Sequence, residues 1–441
     1  MYLLIVSYLL YMNFNAVYAL ILLGVTTVTY LSARLIEGKK AIGGGKYLLT
    51  IGVILTLFPL LMFKYYNFIC ESGVDILRMI GMRVSLPGLN WAVPVGISFF
   101  TFQALGYLWD VWYGRIKSEK NFLHYALFVG FFPQICSGPI SRASELLPQI
   151  KGQRIFSYNQ IRNGLRLVLW GVFMKVVIAD RLGIYVDTVY SHIENYSGVT
   201  LFLSSVFYTI QIYGDFAGYS LMAIGVGKTL GFNLVNNFNR PYLASSITDF
   251  WKRWHISLTR WLTQHVYIQL GGNRCSKARC YANIVVTFLV SGIWHGANWT
   301  FVIWGLLHGF FQIIEKAIGL QKCETNRWYI EKPLRICITF LLVNFAWIIF
   351  RMPSIEDAYY VIAKILMLSD GVSQPVEYIL IIFLALLMLF TKEFTEEYFD
   401  GKPKIMENRY TIIRWAAYIA ITVFILLYGV FDSTQFIYVS F

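Results

Sequence analysis

Apolar residues in this chain come in blocks and rarely alternate, and the blocks have the length of membrane helices. A helix needs roughly 20 largely apolar residues to cross a bilayer. Candidate blocks lie at 16–35, 46–64, 91–111, 122–137, 163–180, 199–213, 216–232, 281–294, 298–319, 333–351, 376–391 and 410–431. The pattern predicts an all-α integral membrane protein of about 10–12 spans. Several blocks are short, and 122–137 contains Pro133, so some are expected to be tilted or re-entrant. No long Gly/Ser/Pro linker or second compositional regime interrupts the series, which predicts one membrane domain over 1–441. The opening Met1–Met12 is apolar but too short to cross. It lacks the basic flank and cleavage site of a signal peptide, and is expected to be the second half of a helix that begins upstream.

Composition narrows the class. The apolar set reaches 57% and charged residues only 14%, against about 45–50% and 25% in soluble domains. That excludes an ordinary cytosolic enzyme, a disordered chain and a nucleic-acid-binding module. The expected setting is a multi-pass protein of the cell membrane, with lipid as its surroundings. The net charge of +13 then reads as basic residues gathered in cytoplasmic loops. Six cysteines are scattered with no C-x-x-C pair, so neither a zinc site nor a disulfide framework is expected.

Charge placement gives orientation. The connection Arg34–Lys46 carries four basic residues and one acid, and is expected on the cytoplasmic side. Residues 181–198 are poor in Lys and Arg and fit the outer side. The longest polar stretch, 227–281, carries eight basic residues against Asp249 alone, so it is expected to be cytoplasmic, built structure. Within it Phe250, Trp254, Leu258 and Trp261 recur at helical spacing, opposite Lys252, Arg253 and Arg260. This predicts an amphipathic, re-entrant helix, capped by Ser246 or Thr248 and ended by a tight turn at Gly271-Gly272-Asn273-Arg274.

Two histidines stand out. His255 lies in that basic helix, and His295 ends an apolar run between the blocks at 281–294 and 298–319. A titratable group at membrane depth is expensive and marks a candidate site; the plain alternative for His295 is a bond to a neighbouring backbone carbonyl. No G-x-S-x-G, S-x-x-K or H-E-x-x-H string is present, so neither a covalent serine nor a metal is expected. An enzyme built this way would use a histidine base on a hydroxyl acceptor. His124, His192, His265 and His308 are read as structural, His308 least firmly because it follows Trp304 by one turn.

Four stretches carry a resemblance: Val95–Gly114, Phe131–Arg142, Gln211–Arg274 and Val290–Gly309, the last reading VSGIWHGANWTFVIWGLLHG. In these the chain resembles the membrane-bound O-acyltransferase (MBOAT) family, in particular its bacterial polysaccharide O-acetylating branch, and even the closing FIYVSF is similar to the family's tail. The resemblance implies a tunnel through the membrane, with the near-invariant histidine at His295 in Trp294-His295-Gly296 and the more variable His/Asn position at His255. Where the family often has a cysteine, this chain has Gly214. The implied activity is acetyl transfer from a cytosolic thioester such as acetyl-CoA, with no permanently bound cofactor, toward an exported polysaccharide.

On this reading Lys252, Arg253, Arg260 and Arg274 would meet an anionic donor, although positive-inside charge alone would also place them there. Trp254, Trp294, Asn298 and Asp215 complete the expected substrate-contacting set, with structural pairing to a loop arginine or the histidines as the plainer role of Asp215. The short outer loops favour relay through an SGNH-type partner over direct transfer to a polymer. Two alternatives stand beside this: D-alanyl transfer from a carrier protein to teichoic acid, and a transporter in which His295 and Asp215 relay protons. No internal repeat supports the transporter.

Overall fold

The computed structural model describes residues 1–39, 45–320, 328–399 and 405–431. The closing FIYVSF string, residues 40–44 of the first basic connection and Cys323 lie outside them. Among the described residues there are helices and no strand, as expected of an all-α membrane protein. Among the described residues four helices, Ala16–Lys39, Gly45–Met79, Ile330–Arg351 and Thr411–Tyr428, are long and apolar enough to cross a membrane. The chain forms two compact units: Met1–Ser157 with Leu230–Val235, and Tyr158–Thr229 with Asn236–Phe441.

The first unit contains α1 (Tyr2–Met12), α2 (Ala16–Lys39), α3 (Gly45–Leu60), α4 (Tyr66–Met79), α5 (Ile97–Trp112), α6 (Phe122–Gly130), α7 (Phe132–Ile135) and α8 (Ala143–Lys151). Pro59 removes a helical N–H near the end of α3, and the helix passes through a π-helical turn, Leu61–Tyr65, into α4. The block at 122–137 is broken between α6 and α7, with Phe131 extended and Pro133 at the start of the new turn.

The second unit holds the candidate site. It runs through α9 (Tyr158–Val172), a π-helical turn (Phe173–Ala179), α10 (Asp180–Tyr190), α11 (Gly198–Thr229), α12 (Ile247–Arg253), α13 (Ile256–Leu262), α14 (Lys277–His295), α15 (Trp299–Ala317), α16 (Trp328–Arg351), α17 (Ile355–Leu366), α18 (Ile379–Tyr398) and α19 (Thr411–Tyr428). Two expectations are corrected here. The blocks at 199–213 and 216–232 are one helix, α11, of 32 residues, about 48 Å long at the usual rise. The chain need not leave the helix at Asp215, because that carboxylate is buried against the Lys175 ammonium at 2.6 Å, and Lys175 also reaches Asp180 at 2.7 Å. α9 lies close along α11: a Cβ added at Gly164 would meet the Gly225 carbonyl at 2.6 Å, and one at Gly171 the Gly218 carbonyl at 2.5 Å. The small residues let the two backbones touch.

The second correction concerns the amphipathic helix. It is two short helices, α12 and α13, broken at Trp254–His255, followed by a π-helical turn at Thr263–Tyr267. His255 has left-handed backbone, φ +43°. A partner from outside the segment overrides its helical periodicity: the Ile256 N–H donates to the Asn237 carbonyl at 2.9 Å, and the Asn239 N–H to the Arg253 carbonyl at 2.9 Å. The tight turn at Gly271–Arg274 forms as expected, with both glycines at positive φ.

Candidate active site

The start of α12 is clamped. Ser246, one of the two expected caps, accepts from the Asp249 N–H at 3.0 Å. The Glu315 carboxylate of α15 accepts from the Ile247 N–H at 2.5 Å, the Thr248 N–H at 3.0 Å and the Thr248 hydroxyl at 3.0 Å. A carboxylate at the positive end of the helix satisfies its orphan donors and suits its dipole. The other end is held through Arg253, which donates to Asp249 at 2.9 Å and to both oxygens of Glu397 at 2.9 and 3.1 Å. Arg240 reaches the same Glu397 at 2.8 Å. Burial pushes the Glu397 carboxyl up, but Arg253 and Arg240 hold it below the ordinary carboxylate range.

Beyond this frame the chain turns inward. His255 is fully buried, its Nδ1 3.1 Å from the Asn237 side-chain oxygen. The same oxygen accepts from the Ser257 N–H at 3.2 Å and hydroxyl at 2.9 Å. His295 ends α14, which meets α15 at glycines: a Cβ at Gly292 would lie 2.3 Å from the Phe301 carbonyl, and one at Gly305 2.4 Å from the Phe288 carbonyl. That close approach sets His295 against Trp304, ring centroids 4.9 Å apart. The His255 and His295 rings are 6.4 Å apart, with Trp294 5.6 Å from the first and 5.0 Å from the second. Trp254 packs on Trp347 at 5.2 Å, and Trp347 on Trp304 at 5.5 Å. The two imidazoles are thus buried side by side and walled by indole rings.

A cavity of about 320 Å³ lies between α12, α14 and α15, lined among others by Thr248, Trp251 and Lys252 of α12, Asn273 of the glycine turn, Ser291 of α14 and Lys316 of α15. Lys316 donates to the Asn273 side-chain oxygen at 2.7 Å, and the Tyr267 hydroxyl to that same oxygen at 2.8 Å. Ser291 is buried one helical turn before His295, so the cavity runs from two lysines to within a turn of the candidate base.

The expected site residues therefore separate. His295, His255 and Trp294 come together, Trp254 joins them through Trp347 and Trp304, and Lys252 lines the cavity. Arg253 belongs to the ion-paired frame. Arg260 is half-buried and Arg274 exposed, and neither lines the cavity. Asn298 caps α15, accepting from the Thr300 N–H at 3.0 Å and donating to the Pro353 carbonyl at 2.9 Å. Asp215 is paired, with Lys175 in place of the expected loop arginine or histidine. Three residues outside the expected site set also border it: Asn237, within the 211–274 stretch, and Glu315 and Lys316 of α15. His308, read as structural, accepts from the Trp251 indole N–H at 3.3 Å beside the cavity wall. Among the described residues no cluster of His, Cys, Asp or Glu is arranged to hold a metal ion.

The sequence profile of the membrane-bound O-acyltransferase family matches residues 113–362. A probable alginate O-acetylase of Pseudomonas aeruginosa is 38% identical over 358 residues, 81% of this chain and 68% of that protein. A peptidoglycan O-acetyltransferase of Helicobacter pylori is 35% identical over 408 residues, 85% of this chain and 74% of its own. A teichoic acid D-alanyltransferase of Bacillus subtilis is 27% identical over 354 residues, 77% and 86% respectively.

Proposed function

This chain belongs to the membrane-bound O-acyltransferase family, and from that premise we propose that it moves an acetyl group from a cytosolic thioester, acetyl-CoA in the simplest case, across the cell membrane for O-acetylation of an exported or cell-surface polysaccharide. As an O-acyltransferase of the membrane it is an enzyme, and the proton-relay transporter reading is set aside. The relatives named for alginate and peptidoglycan O-acetylation support the acetyl and polysaccharide parts of the proposal. The observation that carries the donor part is the cavity, with Lys252 and Lys316 lining it and Ser291 one turn from His295. Ammonium groups suit the phosphates of an anionic donor, and apolar walls suit the arm that delivers the thioester.

In this mechanism His295 takes the proton of the acceptor hydroxyl as its oxygen attacks the acyl carbonyl. The tetrahedral oxyanion collapses, the C–S bond breaks as the C–O bond remains, and the departing thiolate takes the proton from His295. His255 orients the acceptor or His295 from the facing side. The acceptor is proposed to be the hydroxyl of an SGNH-type partner outside the membrane, which passes the acetyl to the polymer.

The test is His295→Ala, with membrane accumulation confirmed and ester-linked acetyl on surface glycans measured. Acetyl ester should fall to the level of cells lacking the protein; unchanged acetylation sinks the base assignment. Loss of ester-linked D-alanine with acetyl intact would transfer the proposal to teichoic acid.

A further inference from the structure

Asn237 lies within the 211–274 stretch but outside the expected site set, and its side chain is the hub on which His255 is mounted. It is 1% exposed. Its amide orientation follows from chemistry. The Ser257 backbone N–H can only donate, and it lies 3.2 Å from one terminal atom of the Asn237 amide, which must be the oxygen. The amide nitrogen then faces the Ser220 hydroxyl at 3.2 Å, where it donates. That oxygen is also the atom 3.1 Å from His255 Nδ1. A carbonyl oxygen cannot donate, so the proton in this contact belongs to Nδ1. In a neutral imidazole the other nitrogen, Nε2, then carries the lone pair.

We propose that Asn237 is a positioning residue that fixes His255 in the Nδ1–H form, so that His255 meets the reaction as an acceptor at Nε2. Backbone bonds from the same segment fix the ring's origin as well: the Ile256 N–H on the Asn237 carbonyl and the Asn239 N–H on the Arg253 carbonyl hold the left-handed kink that turns His255 inward. Asn237 thus sets both the place and the proton of the second histidine. This rests on the acyl-transfer reading for its consequence, but not for the tautomer itself. An acceptor at Nε2, on a ring 6.4 Å from His295, suits a hydroxyl or an imidazole N–H between the two rings and is unsuited to donating to the acyl oxygen.

The experiment reads the tautomer directly. Protein labelled with 15N-histidine is placed in lipid, and each ring nitrogen is classed by NMR as proton-bearing or not; the chain has six histidines, and His255→Asn identifies the signal by its loss. The expected result is a protonated Nδ1 and bare Nε2 at residue 255. A protonated Nε2 with bare Nδ1 in the wild type overturns the proposal without any variant being made. In variants, Asn237→Leu removes the acceptor and should lower acetyl transfer about 10- to 100-fold, the range for losing an orienting outer partner, while Asn237→Asp, which keeps an oxygen there, should restore most of it and keep the tautomer. Wild-type transfer from an accumulated Asn237→Leu protein overturns the proposal. A wild-type protein that transfers no acetyl counts against the functional reading alone, because the tautomer is measured without turnover.

Discussion

Lys252 and Arg253 are adjacent in the chain and have opposite fates. Arg253 points into a frame with Asp249 and Glu397, shared with Arg240. Lys252 lines the cavity together with Lys316, and neither lysine has an ion-pair partner among the described residues. One step along a helix is about 100° around it, enough to put one charge in the ion-paired frame and its neighbour on the cavity wall. The residue types suit the division: a guanidinium makes fixed bidentate pairs, while an ammonium on a flexible stem can follow a mobile ligand. A basic loop is therefore not by itself a binding surface.

The sharpest way to break this comparison is at Glu397. Replacing it with Ala should leave two largely buried guanidiniums without their shared carboxylate and cost roughly 3 kcal/mol, seen as reduced accumulation in the membrane and a lower midpoint of thermal unfolding. Next come the lysines. Lys252→Ala and Lys316→Ala should each raise KM for the thioester about 10-fold, as expected for losing a charge-assisted contact, with kcat and thermal midpoint little changed. A fall in stability in place of a rise in KM would place the lysines in the frame.

A smaller effect concerns acid. Because the folded Glu397 carboxyl titrates below its unfolded value of about 4.3, its pairing adds stability that is fully present above that pH and lost as pH falls through the folded value. Unfolding midpoints measured down the acid limb should fall less steeply in Glu397→Gln than in the wild type. The smallest expected effect is at Arg274, exposed and away from the cavity: Arg274→Ala should leave KM within about 2-fold, the level of an ordinary surface charge. A large rise would restore it to the donor-binding set.

The contrast also explains what could be read from the chain. Apolar blocks gave away the membrane class because bilayer thickness imposes a length on each helix. His295 and His255 stand out in the chain because imidazoles are rare in such surroundings, and the fold sets their rings 6.4 Å apart. The glycine turn was legible because positive φ has few other tenants. What escaped was decided by remote partners. Nothing within 199–232 reveals that Lys175 neutralises Asp215 and lets one helix run through. The periodicity of 247–262 is helical, but Asn237 bonds to the backbone at 256 and 257 and breaks it. Glu397 lies 144 positions from Arg253, so the arginine's role could not be told from its neighbour's. Asn298, expected among the substrate-contacting residues, precedes its helix as a cap should and bonds to the Thr300 N–H and the Pro353 carbonyl.

The kink at residue 255 has a consequence for how this position can drift. A side chain at φ +43° carries strain of about 1–3 kcal/mol for most residues, while Asn, Asp and His adopt that conformation several times more readily. His255 is thus one of the few residue types that this main-chain conformation admits at low cost. A β-branched or bulky residue placed at 255 would instead have to bear that strain or pull the kink, and the ring position it sets, out of place.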